Sequence, residues 1–171
     1  MTTISLPSRH VLVLLGAMLL LPSLFAQPGS DAPSAVSDPE VLLQELGYMY
    51  EMTEGGNFRC VFEVGEEGRT QLVIINTAVY VYGQLEIREI ISLAGRFKKM
   101  DKKVMLRLLQ DSGEKKLGTW SVEQQDDGDY YVYFTARIAG STSAPALNSA
   151  IQLVAESADE MEQEITSGDE F

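Results

Sequence analysis

Histidine occurs once in these 171 residues, at His10, and cysteine once, at Cys60. His10 falls in a stretch that reads as a removable leader, so the rest of the chain lacks the commonest general base and metal ligand. A histidine-activated nucleophile, a phosphoryl relay through imidazole and a histidine zinc site are thereby excluded. One cysteine cannot close an internal disulfide, so the fold must be held by its apolar core. Basic residues are scarce as well. The 13 Lys and Arg face 25 Asp and Glu, and a formal net charge of −12 argues against general nucleic-acid binding. Phosphate-loop and dinucleotide fingerprints are missing. The glycines at 65 and 68 bracket Glu66 and Glu67 instead of a phosphate cradle. Asp126, Asp127 and Asp129 around Gly128 lack the spacing and the distal glutamate of an EF-hand, and read as a hairpin turn. No catalytic, cofactor-binding or metal-ligating set emerges, and the chain reads as non-enzymatic. A carboxylate-based hydrolase using strand residues such as Glu63 or Glu86 is the outside alternative.

What is present begins with the grammar of export. Arg9 precedes an apolar run over 11–21, followed by Pro22, Ser23 and the small Ala26, which predicts a signal peptide over 1–26. The apolar stretch is shorter than the ~20 residues a membrane helix needs, so no stable membrane anchor is expected after cleavage. Cys60 lies too far downstream to serve as a lipoprotein acylation site. The expected product is soluble and secreted or periplasmic. Residues 27–37 are rich in Pro, Ser, Ala and Gly without apolar period and predict a flexible linker.

A single domain is expected over 38–165. Ser37 and Glu40 form a capping-box pattern, Pro39 suits an early helical position, and Leu42, Leu46 and Met49 recur at helical spacing. Residues 58–64 alternate as a half-buried strand with Cys60 on the buried face, and the turn at 65–68 closes a hairpin. Two more strands are expected over 71–82 and 85–93. A second helix follows, with Val104, Met105, Leu108 and Leu109 on one face, ending at Ser112 and Gly113. Strands over 117–124 and 130–138 flank the aspartate-rich turn. The last helix repeats Leu147, Ile151, Val154, Ala158, Met161 and Ile165 at steps of four and three, which suits one helix docked on a sheet and also a helix pair between subunits. Acidic residues oppose the dipole at its end, so 166–171 is expected to be a disordered acidic tail. The predicted class is α+β: helix, three strands, helix, two or more strands, helix, with an antiparallel twisted sheet of five or six strands flanked by helices.

With the elements placed, the stretches LGY at 46–48, GNFRCVFEV at 56–64, GRTQLVII at 68–75, ISLAG at 91–95, LGTWSV at 117–122 and LNSAIQLVAESADEMEQEI at 147–165 form a pattern. In this order the sequence resembles the YbjN-type domain family over 40–165. The resemblance implies a type III secretion chaperone-like fold and a surface that grips extended or helical polypeptide. It supplies no catalytic residues. The family is also labelled a sensory transduction regulator, yet nothing in this chain resembles a phosphoacceptor site or a DNA-reading helix. The leader departs from cytosolic chaperones and points to a periplasmic client.

Two surfaces are candidates for binding. Tyr131 and Tyr133 alternate with Val132 and Phe134, and Tyr80 and Tyr82 share one face of another strand, so a continuous tyrosine surface is one reading and tyrosines rimming a covered core another. Arg96, Lys98, Lys99, Lys102, Lys103 and Arg107 form a basic cluster for an anionic partner, a lipid headgroup or the acidic last helix of another copy, or else a solvated face. The partner is expected to be another polypeptide or a second copy in a homodimer, joined through the second or last helix. Trp120, Phe62, Phe134 and Ile151 are expected in the core.

Overall fold

A computed structural model describes residues 35–65, 68–166 and 168–171. The expected leader, most of the expected linker, and Glu66 and Glu67 of the first hairpin turn lie outside the described residues. The class is as expected, α+β, with seven antiparallel strands instead of five or six.

Helix α1 (Pro39–Glu45) is capped by Asp38, whose carboxylate accepts from the Glu40 N–H at 2.9 Å, so the cap lies one residue beyond the expected Ser37. Ser37 is used otherwise: its hydroxyl donates to Thr142 O and its carbonyl accepts from Arg88, which fixes the end of the linker. The helix buries Leu42 and Leu43, then stops at Gly47, where φ is +71°. Met49 therefore leaves the expected apolar face and is 91% exposed.

Strands β1 (Glu51–Met52), β2 (Phe58–Val64), β3 (Arg69–Ile75), β4 (Tyr80–Tyr82), β5 (Leu85–Phe97), β6 (Thr119–Gln124) and β7 (Tyr130–Ala139) form the order β1-β2-β3-β5-β7-β6, with β4 added to β5. The strand expected over 71–82 is two strands, because the chain leaves β3 at Asn76 and Thr77. Thr77 is held there by the Asn57 side chain and Gly56 O. Strand β5 runs four residues past its expected end by inserting a bulge between Leu93 and Gly95 against β7.

Helix α3 (Ala144–Ile165) lies on β2, β3, β5 and β7. Leu147, Ile151, Val154, Ala158 and Met161 meet Phe58, Val73, Ile75, Ile90, Val132 and Phe134 in one cluster. Each large apolar side chain buried there contributes about 1.5–3 kcal/mol. The buried stripe is broader than the expected narrow one, since Ala144, Ala150 and Ala155 let the helix sit close and carry Asp159 and Glu162 inside. Helix α2 (Lys102–Glu114) stands beside α3 at the β6 edge. Trp120 Nε1 donates to Asp111 of α2 at 2.8 Å, and Arg107 of α2 meets Glu164 of α3. Tyr48, just after α1, reaches Asn148 of α3. All three helices thus serve the same face of the sheet.

Candidate functional site

No described helix covers the second sheet face. The register places on it Arg59, Val61 and Glu63 of β2, Leu72 and Ile74 of β3, Ile87, Glu89, Ile91 and Leu93 of β5, and alternate residues of β7 and β6. Strand period two is the cause: Cys60, Val73, Ile90, Val132 and Phe134 turn inward, so their neighbours turn out. One row runs Arg59, Ile74, Ile91, Thr135 and Thr119, and a neighbouring pair joins Val61 to Leu72. Next to Ile91 on β5, Leu93 faces Tyr133, which faces Ser121. Val61 is 60% exposed, while Leu72, Ile74, Ile91 and Leu93 are half-buried by one another. Charge frames this stripe, with Glu89 and Arg137 paired at 2.9 Å. Glu89, Ile91, Ser121, Glu123, Tyr133, Thr135 and Arg137 line a shallow groove of about 290 Å³.

The four candidate tyrosines share this face but do not form one surface. Tyr131 and Tyr133 are half-buried and stack at 6.3 Å between ring centroids, with the Arg96 guanidinium 5.3 Å over Tyr131. Burial and nearby Glu123 hold the Tyr133 hydroxyl above its ordinary pKa, so it stays a proton donor. Tyr80 and Tyr82 are 60% and 79% exposed on β4, opposite Ile87 and Leu85. Six strand steps along β5 separate Ile87 from Leu93, a gap of about 20 Å at strand rise. Sequence alternation gives the side of the sheet, whereas the offset along the strands arises only from pairing.

The basic candidates separate as well. Arg96 is neutralised by Asp129 at 2.8 Å and Asp127 at 3.0 Å, two of the three aspartates of the hairpin turn. Arg107 is held by Glu164 at 2.9 Å and Asp111 at 3.1 Å. The acidic end of the last helix therefore finds its basic partner within the same chain. Lys98, Lys99, Lys102 and Lys103 are exposed and make no ion pair among the described residues. Lys103 lends its backbone N–H to the Asp101 cap of α2.

A polar cluster that the sequence did not announce lies between β3 and α3. Arg69 Nε donates to Asp159 at 2.6 Å, and its Nη2 reaches Glu162 at 3.4 Å and Asp169 at 3.8 Å. Burial raises the Glu162 carboxyl above the ordinary glutamate range, opposed by the Glu170 N–H and the Arg69 charge. The three carboxylates approach within 4.8 Å of one another, the spacing of a cation site, and Arg69 supplies positive charge there. The sequence signal was the position of Asp159 and Glu162 beside Ala158 and Met161, on the face of α3 that the apolar repeat assigns to the core.

The stretch expected as a disordered acidic tail meets the same cluster. Residues 168–171 lie against β3, with Phe171 O accepting from Leu72 N–H at 2.8 Å and Gly168 O from Arg69 at 2.8 Å. The amides and guanidinium of β3 outweigh the unfavourable end of the α3 dipole.

On α2 the expected apolar face is only partly used. Leu108 is buried and Val104 half-buried, but Met105, Leu106 and Leu109 are 41%, 53% and 71% exposed. Met105, Leu108 and Leu109 form an apolar groove with Trp120 and Val122 of β6, a strand at the edge of the sheet.

No family model matches this sequence, and no curated protein matches it. The chain is similar in structure to the crystal structure of YbjN from E. coli, with a TM-score of 0.43 at 10% sequence identity, over 75% of this chain and 93% of that one.

Proposed function

We propose that this chain is an exported, non-enzymatic polypeptide-binding module of chaperone-like type, whose uncovered sheet face receives a client. The observation that carries the reading is the stripe Val61, Leu72, Ile74, Ile91, Leu93 and Tyr133 on a face that no described helix covers. A half-exposed sheet of Leu and Ile gains by covering, and a shallow open groove suits a polypeptide better than an enclosed small molecule. The resemblance to YbjN-type domains points the same way. Cross-linking the exported fraction in a native host, followed by mass spectrometry, tests both export and capture. Client cross-links should map to this face and fall when Tyr131→Ala and Tyr133→Ala are combined, with the circular dichroism unchanged. Unaltered capture would count against this surface.

A second reading is supported by the exposed apolar groove of α2 beside the edge strand β6: a module that associates with itself and has no client. Sedimentation equilibrium separates the two. Under this reading the chain is a dimer, and Leu109→Glu shifts it to monomer without loss of stability because Leu109 is mostly in solvent. A chain that is already monomeric at high concentration leaves this reading without support.

A further inference from the structure

Strand β3 is paired along its whole length with β2, whereas β5 pairs only with residues 73–75. Even-numbered residues of β3 turn their amides toward β5, and just past the strand the Asn76 N–H still reaches Glu89 O at 3.0 Å. In the other direction the strands part. The bulge between Leu93 and Gly95 carries β5 along β7, and the amides of Thr70 and Leu72 have no strand to meet. An interior strand is thus an edge over half its length, and edge amides are the usual receivers of an added strand.

The chain fills this slot with residues 168–171. Leu72 N–H donates to Phe171 O at 2.8 Å and Thr70 N–H to the Asp169 carboxylate at 3.4 Å. On the opposite side the Glu170 N–H donates to Glu162 Oε1 at 2.6 Å. The floor of the slot is built without this segment. Asp159 holds Arg69 at 2.6 Å, the Ser92 hydroxyl donates to Leu72 O at 2.6 Å, and Gln71 Nε2 spans to Leu93 O at 2.7 Å. Each of these three contacts is made without residues 168–171. The occupant's main chain is held closely, Gly168 O also accepting from Arg69 at 2.8 Å, but its side chain is held less firmly: Asp169 stands 3.8 Å from Arg69, is 39% exposed, and is the third carboxylate around one guanidinium.

We propose that the slot beside residues 69–72 receives an extended acidic segment of another polypeptide by strand addition, and that residues 168–171 are its resident, displaceable occupant. The fit is defined by the atoms present. A carboxylate meets Thr70 N–H and Arg69, the next residue offers its N–H to Glu162, and the main-chain oxygen of the one after accepts from Leu72 N–H. Backbone groups give strand addition its hold, and the carboxylate gives it selectivity. The slot uses other side chains than the sheet-face stripe, sharing with it only the backbone of Leu72 and Leu93, so it stands whether or not that face takes a client.

The test compares the intact chain with a chain ending at Thr166, each titrated into a fluorescent peptide of residues 163–171 and followed by anisotropy. The shortened chain should bind the peptide. The intact chain should bind it about tenfold more weakly, because its own segment competes at the effective concentration of a tethered ligand. A peptide carrying Asp169→Ala should lose about threefold on the shortened chain, the scale of one long, partly exposed ion pair. No binding by a shortened chain of native circular dichroism, or equal binding by both chains, overturns the proposal. Hydrogen exchange on the intact chain keeps the test open if the shortened chain misfolds. The Leu72 amide should then exchange faster than that of Ile74 through opening of the segment alone, and exchange of both only by global unfolding overturns it.

Discussion

Arg88 shows what a charge inside this core requires. It is fully buried, and its guanidinium donates to Asn76 O at 2.6 Å, Thr77 O at 2.8 Å and Ser37 O at 2.7 Å; among the described residues it makes no ion pair, although the Asp38 charge acts on it from nearby. Burial lowers its pKa from the ordinary arginine value, and the three carbonyl dipoles hold a residue that stays protonated. Cys60 is the opposite case, a thiol with nothing to do. Burial pushes it up to about 11, so it remains a small apolar filler. Glu162 lies between these, buried but ionisable, with Arg69, Asp159 and Asp169 and the Glu170 amide around it. Its folded pKa is raised, so its contribution to stability is fully present below the ordinary glutamate pKa of about 4.3 and is lost as pH rises through the raised value. Glu162→Gln keeps the acceptor for Glu170 and removes the titration. Urea unfolding from about pH 4 to pH 7 should show the variant gaining on the parent chain as pH rises. A difference that is flat with pH would mean that the carboxyl is not shifted by its burial.

Among the elements, the turn into β6 depends on one glycine. Gly118 has φ of +96°, and a Cβ there would stand 2.6 Å from Phe134 Cζ and 3.1 Å from Thr135 O. Gly118→Ala combines a left-handed backbone with a clash against a buried ring, and should cost about 3 kcal/mol in urea unfolding. A loss under about 1 kcal/mol would show that Phe134 can give way. Legibility in the sequence follows the same line between local and non-local causes. The two hairpins and α3 were readable because their period and turn residues lie within one segment. The split of 71–82 was not, since it depends on Asn57 reaching Thr77 across the sheet. The face of α2 was readable as apolar but not as exposed, because burial there is set by the single edge strand it meets. Tyr131 and Tyr133 were placed on the correct side by alternation. Their distance from Tyr80 and Tyr82, and the convergence of Arg69, Asp159 and Glu162 from residues about ninety apart, exist only after pairing.

For the whole molecule, charge that is segregated along the chain is partly rejoined by the fold. Basic α2 and the Lys115 that follows it meet the acidic end of α3 through Arg107 with Glu164 and Lys115 with Glu160, and two aspartates of the β6–β7 turn close on Arg96. These pairs leave most of the acidic excess unanswered, because 25 carboxylates outnumber the 13 basic side chains. Salt then acts on two opposing quantities. It weakens exposed pairs such as Arg137 with Glu89 and Arg59 with Glu51, each worth about 0–1 kcal/mol, and it relaxes the repulsion among unpaired carboxylates. Arg69 with Asp159 is screened less, being 15% and 6% exposed. With a net charge of −12 the repulsion should win, so thermal unfolding between about 20 mM and 0.5 M sodium chloride should show the midpoint rising by a few degrees, about 1 kcal/mol. Most of the rise should come below about 0.15 M, where the Debye length is already near 8 Å, which separates charge screening from the general effect of concentrated salt on apolar burial. A midpoint that falls over the same range would mean that the rejoined pairs, not the excess of acid, dominate the electrostatics of the folded chain.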